Sequence, residues 1–464
     1  MGGLFQGLEI GRRALLSHQV SLQTTGHNIA NVNTLGYTRQ RVRVAATRPN
    51  MTSIGSVGTG VSVIDIRHIR DLFLGQQYRD ATKSLGQWGY KHKTLSQIES
   101  LINEPQDDSL NDLLNQFWDA WSDLSTNSDS SSHRSMILAK ANQLINTFHQ
   151  LSGQLTALRD SIDRDLTNLT KDVNRLTSEI AVLNHQITTA ELGGSRANDL
   201  RDERDRLTNE LASIIDVRTI EKANGATVVF MGAMVIVDSS DSFDIGTTIV
   251  NEGGTSMHHI VWEGTDVRLK NLSGELAGLT ESRDETIPSY IDDLNEMART
   301  LVEEVNAIHE VGYGYQNGLT GVSFFDPAFT DAATIRLNQD IVQDINRISA
   351  SSTVDGDNLI ALQLADLRHT TVMANSTMTI NGFYSNIVGS IGIETREAGS
   401  FLSNCELLRH QIDNAKQSVE GVSLDEEMVN MVKYQHAYEA AARVITTMDE
   451  ALDTVINRMG VVGR

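Results

Sequence analysis

Apolar positions recur along this chain at helical spacing for most of its length. At the N-terminus, Leu8, Leu15, Leu22 and Ile29 fall every seven residues. Leu4, Gly11, His18, Thr25 and Val32 interleave with them, so the steps run 4-3-4-3 from Leu4 to Val32. That spacing is a coiled-coil seam, and a lone amphipathic helix cannot bury such a stripe in water. The helix therefore predicts a partner. The last helix supplies a matching series: Leu424, Met428, Met431, Tyr438, Ala442, Ile445, Met448, Leu452, Val455 and Met459, with polar Gln435 in one seam position. Ser423 reads as its N-cap, and Glu426 three residues on completes a capping box. Asp425, Glu426 and Glu427 put negative charge where the helix dipole favours it.

Between the two ends the pattern changes several times. Gly36 can close the first helix, residues 40–45 read as a short strand or extended arm, and 47–60 as a flexible Gly/Thr/Ser loop. Val61, Val63 and Ile66 suggest another extended piece. Helices follow from Asp71 to Asn103, before Pro105, and from Asp108 to Leu124, the latter with Trp118 and Trp121 as core. Then comes the longest regular stretch, Ile137 to Ala190, stepping 4-3 with one extra four between Ile162 and Leu166. Such an insertion locally unwinds a left-handed supercoil. At 1.5 Å per residue it predicts a rod of roughly 80–90 Å. A returning helix spans 198–215. Residues 216–272 carry β-rich runs at 217–220, 227–230, 234–237, 260–262 and 267–269, divided by Gly, Asp and Ser. Helix resumes at 275–311, and Gly312–Gly321 is a loop. A short strand at 334–337 and a short helix at 357–367 come next. A long helix at 381–419 then keeps Phe401, Cys405, Leu408, Ile412, Ala415 and Val419 on one stripe.

The expected fold is mainly α with a small β-rich insert. Three units follow: 1–60 with 420–464 as a terminal coiled-coil domain and linker arm, 61–215 with 275–419 as a long-helix bundle, and 216–274 as a small β-rich outer domain.

Composition sharpens this reading. Only four prolines and 5% aromatic residues suit long helices. A formal charge of −22 argues against nucleic-acid binding. Residues 1–50 hold six Arg against Glu9, whereas 420–464 hold eight acids against four Lys or Arg, so the ends are complementary in sign. One cysteine excludes an intrachain disulfide. No apolar run reaches a membrane span of about 18 residues, and no apolar leader with a cleavage site is visible. The chain is expected to be cytosolic or exported by a route that reads no such signal.

The sequence carries no complete catalytic or metal-binding motif of the common kinds. His309-Glu310 is not continued as a zinc motif, no nucleophile elbow or phosphate loop is present, and the 312–318 glycines lack the dinucleotide-binding order. His258 and His259 point to opposite faces of a strand and read as surface histidines. The alternating run Arg201 to Arg206 reads as a solvated ion-paired face, with a packing contact at the helix hairpin as the alternative. Cys405 reads as a small core residue, and His18 as a packed or interfacial histidine. No catalytic, cofactor or metal residue is assigned and no cofactor is expected.

Residues 25–37, Thr-Gly-His-Asn-Ile-Ala-Asn-Val-Asn-Thr-Leu-Gly-Tyr, resemble the N-terminal signature of bacterial flagellar rod, hook and hook-associated proteins. Gln97-Ile98-Glu99 with Phe117 to Trp121, Asn198 to Asp205 after Gly193-Gly194, and 421–427 with 434–443 narrow the resemblance to the family of the first hook-associated protein. The resemblance is weakest over 216–274. It implies a nested, flagellin-like architecture and a non-enzymatic structural subunit joining hook to filament. Such a subunit is exported by the flagellar type III route without a cleaved signal and is extracellular on the flagellum. Implied partners are hook protein, the second hook–filament junction protein, further copies of the chain in a ring or helical array, and an export chaperone at the C-terminal helix. Nucleic acid and membrane insertion are not among them. The assembly positions are Leu8, Leu15, Leu22, Asn28, Ile29, Asn31, Leu424, Met428, Met431, Tyr438, Ile445, Leu452 and Val455. Another axial subunit, hook or distal rod protein, is the alternative, although a long heptad rod fits their β-dominated middles poorly. An enzyme or adhesive module in the insert, motivated by the Gly/Ser/His stretch 253–259, and a generic coiled-coil scaffold are the remaining readings.

Overall fold

The computed structural model describes residues 2–52, 55–102, 109–252, 255–270, 272–315, 318–354 and 356–458. The expected helix end at Asn103 and the seam residue Met459 lie outside them, as does the side chain of Leu4. The fold is mainly helical with small sheets.

Helix α1 (Gly2–Ala30) leads into a ribbon built on β1 (Gln40–Ala46). The stretch expected as a loop instead holds a small hairpin, β2 (Asn50–Thr52) with β3 (Gly55–Val57), before β4 (Val61–His68) returns along β1. Backbone bonds at the hairpin's base, such as Thr47 N to Gly60 O at 3.0 Å, hold it closed. Next come α2 (Leu72–Ile102) and α3 (Leu110–Thr126), the latter capped by Ser109. Helix α4 (Ser131–Ala190) is 60 residues long, about 90 Å at the standard rise. Helix α5 (Asn198–Ile214) folds back on it.

The β segment is a four-stranded antiparallel meander, β5 (Val217–Glu221), β6 (Thr227–Met231), β7 (Met234–Asp238) and β8 (Asp241–Ser242). A separate hairpin follows, β9 (Ile245–Glu252) with β10 (Thr255–Trp262). The run at 267–269 is no strand, making a single bridge from Arg268 to Val261. Its side chains share one continuous core with α4: Val229, Ile236 and Ile260 pack in the same cluster as Val173 and Ile180. Asn184 of α4 donates to Thr227 O and Ser239 O at 2.8 Å, tying the meander to the rod.

The expected helix 275–311 is interrupted. Helix α6 (Gly274–Glu281) passes through a π turn, Ser282–Thr286, into α7 (Ile287–His309). The π turn brings Arg283 inward, to 1% exposure. There it meets Asp163, which lies beside Ile162 at the heptad break in α4. Asp163 accepts from Arg283 Nη1 at 2.6 Å and from His258 N at 3.0 Å, and pairs with His258 Nδ1 at 2.5 Å. His258 and His259 are therefore not surface histidines; the first is half-buried in this cluster and the second is 5% exposed.

Strands β11 (Tyr313–Gly314) and β12 (Ser349–Ser351) pair around the short α8 (Gln339–Gln343), with α9 (Leu359–Asp366) following. The expected strand at 334–337 reduces to one bridge, Phe325 with Leu337. Helix α10 (Ile380–Glu420) lies along α2, and α11 (Leu424–Asp453) returns to α1. Trp118 and Trp121 are core, with Trp121 edge-on to Phe324 and Phe117 between the tryptophans and Phe325. The later stripe of α10 is only partly covered: Phe401 stacks on Trp88 of α2 yet stays 41% exposed, Leu408 and Val419 are exposed, and Cys405 is half-buried rather than core.

Candidate assembly surface

The terminal helices pack antiparallel, and close approach comes from the small side of α1. A Cβ added at Gly11 would lie 2.8 Å from Ile445 Cγ1, and one at Gly7 would lie 3.0 Å from Met448 Cε. Farther along, Ser21, Thr25 and Asn28 are buried. Ser21 and Thr24 can be buried because their hydroxyls donate to their own helix at Ser17 O and Val20 O, 2.9 Å each. The His18 ring lies 6.4 Å from that of Tyr434, and burial lowers its pKa.

The larger apolar residues fall to the flanks. Leu8, Leu15, Leu22 and Ile29 are half-buried. On α11, Met431, Tyr438 and Ile445 are half-buried, as is Val455 just beyond it, and Leu452 is buried, but Leu424 and Met428 are 45% and 60% exposed. Those last two were expected in the seam between the ends; the inward position there is Glu427, at 2% exposure. Phe5, Leu16, Val429, Val432 and Val444 are also exposed. The hairpin thus buries its small residues inside the chain and leaves much of its aliphatic surface outside.

A polar hub fixes the hairpin to the body. Asn28, at 1% exposure, uses its whole amide. Its Nδ2 donates to Gln40 O at 2.9 Å and Glu427 Oε2 at 3.1 Å; its Oδ1 accepts from Tyr37 Oη at 2.8 Å and Gln40 N at 3.0 Å. Burial, then the nearby Asp199, Asp202 and Glu427 carboxylates, hold the Tyr37 phenol above its ordinary range, so it stays a donor. Arg39 clamps the start of α11, from Nε to Glu427 at 2.7 Å and from Nη1 to Glu426 at 2.5 Å. Burial alone lowers the Arg39 pKa, but these carboxylates outweigh it and raise the net value. Glu426 is thereby drawn off the reciprocal arm of the expected capping box: Ser423 Oγ accepts from Glu426 N at 3.5 Å, while the carboxylate goes to Arg39. Asn31 closes α1, donating to His27 O at 3.0 Å and accepting from Thr34 at 3.1 Å.

The third side of the hub is α5. Thr38 donates through N and Oγ1 to Asp202 at 2.9 and 2.5 Å, Gln40 Nε2 reaches Asp199 at 2.7 Å, and His68 Nδ1 lies 3.1 Å from Asp202. Arg70 pairs with Asp205. The run Arg201 to Arg206 is therefore largely a packing contact: Arg201, Asp202 and Arg204 are 5% exposed or less. Sequence reasoning missed Arg39, Gln40, Asp199, Asp202 and Glu427. Four of them carry legible charges, but no local period links Arg39 to Glu427, 388 residues on, or Thr38 to Asp202, 164 residues on. The small-residue line from Gly7 and Gly11 to Ser21, Thr25 and Asn28 was legible and could have marked the inward face.

Among the described residues no group of three His, Cys, Asp or Glu side chains is arranged to hold a metal ion, and no helix is long and apolar enough to cross a membrane.

Residues 95–325 match the family model of the flagellar hook-associated protein FlgK helical domain, and 417–459 match that of the flagellar basal body rod FlgEFG protein C-terminal region. The chain is 34% identical over 508 residues to flagellar hook-associated protein 1 of Bacillus subtilis (strain 168), covering all of both chains. To its namesake in Escherichia coli (strain K12) it is 23% identical over 537 residues, covering 95% of this chain and 97% of the other. In fold it is similar to the flagellar hook junction protein FlgK from Burkholderia pseudomallei, with a TM-score of 0.63 at 15% identity. That match covers 74% of this chain and 100% of the other.

Proposed function

The chain belongs to the flagellar hook-associated protein 1 family, and from that premise we propose that it works by burial deferred until assembly. It is a structural subunit of the bacterial flagellum at the junction of hook and filament. The observation that carries the mechanism is the split face of the terminal hairpin. Its small residues pack within the chain, while Leu424, Met428, Val429 and Val432 stay exposed and Leu8, Leu15, Leu22 and Ile29 are only half-covered. An aliphatic surface of this kind is stabilised by neighbours. Asn28 sets the hairpin's angle to the body and Asn31 closes α1 beside it; the half-buried Met431, Tyr438, Ile445 and Val455 extend the surface, while Leu452 packs within the chain beneath it.

In this reading the architecture is nested. Residues 1–60 and 420–464 form the terminal coiled-coil domain, 61–215 with 275–419 the long-helix bundle, and 216–274 the outer β-rich part. Hook protein lies on one side and the second junction protein on the other, with further copies alongside. An export chaperone holds the C-terminal helix before type III export, and the subunit ends outside the cell.

The test is a strain lacking this chain. It should build hooks and release flagellin as monomer into the medium, and the unaltered chain should restore filaments. Filaments of normal length in the deletion strain would overturn the proposal.

A further inference from the structure

The geometry points to a second, electrostatic contact between copies: the open face of the β1–β4 ribbon docks on the acidic outer face of α11 in a neighbouring subunit. The inference rests on the assembly reading above and names one of its surfaces.

In the ribbon, Arg41 stands opposite Arg67 and Arg43 opposite Asp65. Directly opposed residues of an antiparallel pair share a face, so three arginines stand on one face with a single acid. Asp65 is shared, 3.0 Å from Arg43 and 2.7 Å from Arg67, and the charge of Arg196 acts on it as well. Like charges directly opposed weaken a two-stranded ribbon. This ribbon keeps such a pair in a chain of net charge −22. The other face, with Val42 opposite Ile66, belongs to the side packed on α1. The arginine face is open: the Arg43 and Arg67 side chains are 51% and 41% exposed, and Arg41 makes no ion pair among the described residues.

Helix α11 offers the complement. It carries seven carboxylates against Lys433 and Arg443. Glu426 and Glu427 are held by Arg39 of the same chain. Glu439, Asp449 and Glu450 are exposed. Glu439 has only His436 near it, at 3.9 Å, and Asp449 and Glu450 have no cation within 4 Å among the described residues. Exposed Val432 and Val444 lie among them. Among the described residues no ion pair joins the two surfaces within one chain. Because they are different patches, joining them is heterologous and propagates round a ring or along a helix, as a tubular junction requires.

The test uses flagella carrying Arg43→Lys and Arg67→Lys, which keep the charge and add amines. A carbodiimide then joins an ammonium to a touching carboxylate. Peptides linking position 43 or 67 to Glu439, Asp449 or Glu450, found in assembled flagella and absent from the monomer, are expected. Links to hook protein, to other segments, or none at all would overturn the inference. In parallel, Arg43→Glu with Arg67→Glu should lose filament retention, and adding Glu439→Lys with Glu450→Lys should restore it. Normal retention in the first variant, or no rescue in the second, also overturns it. If the deletion strain itself keeps its filaments, the assembly reading fails. If it sheds them and Arg43→Glu/Arg67→Glu does not, only this docking fails.

Discussion

Asn28 shows how much one side chain can decide. Its amide joins α1, the linker and α11, and every donor and acceptor it has is used inside the protein. Asn28→Ala leaves the Glu427 carboxylate short of a donor and the Gln40 N–H and Tyr37 hydroxyl short of an acceptor. Unsatisfied buried groups of this kind cost about 2–3 kcal/mol together. Hydrogen exchange should quicken in 2–30 and 424–453 and stay unchanged in α4. His309 acts in the body instead. Fully buried, it donates from Nδ1 to Val322 O at 2.7 Å and accepts at Nε2 from Ser349 N at 2.9 Å, so only the neutral ring fits. Burial pushes its pKa from 6.5 down to about 4. The unfolded chain therefore takes up a proton first as pH falls. The contribution is complete above pH 6.5 and is lost between 6.5 and about 4, some 3 kcal/mol. Urea unfolding at pH 7 and pH 4.5 should show that loss, and His309→Gln should flatten it.

Among the elements, α1 and α11 need two different faces, and substitutions should separate them. Gly11→Leu gains up to about 1 kcal/mol of helix propensity. It also drives a side chain into Ile445, whose Cγ1 is already 2.8 Å from the first added carbon. Overpacking of about 1–3 kcal/mol wins, and trypsin should release the termini sooner. Leu15→Ser does the reverse. Its side chain is only half-buried, so the monomer should lose about 1 kcal/mol or less, seen as a small shift in urea midpoint. Filament retention should nevertheless fall sharply, measured as swimming radius and sheath-free hooks by microscopy.

At the scale of the molecule, order is graded from the rod outwards. Most of the α4 stripe from Ile137 to Ile187 is buried, with Leu158, Leu169 and Leu183 half-buried, and α3, α5 and the β strands pack on it. The terminal hairpin touches the body chiefly through the hub. In the monomer, residues 1–50 and 420–464 should be cut by protease before the middle, and in assembled flagella they should be protected. Equal resistance of ends and middle in the monomer would remove the argument for deferred burial.

Local periodicity was enough to determine the helices, because burial of an apolar stripe depends only on residues three and four apart. The 60-residue rod, its break beside Asp163, and the buried Trp118 and Trp121 were legible in this way. Turn chemistry also marked β5, β6, β7 and the end of β10, but not β9 (Ile245–Glu252). Which face of a terminal helix turns inward was not determined locally. Leu8, Leu15, Leu22 and Ile29 carry the stronger hydrophobic signal, but Gly7 and Gly11 allow the closer approach. The structure buries the small side and places Glu427, not Leu424 or Met428, against α1. The same limit hid the role of Arg201 to Arg206. A run of alternating charges looks solvated until the fold brings Thr38, Gln40 and His68 onto Asp199 and Asp202. Paired charges can be buried only when partners arrive from distant sequence, and that is settled by tertiary structure alone.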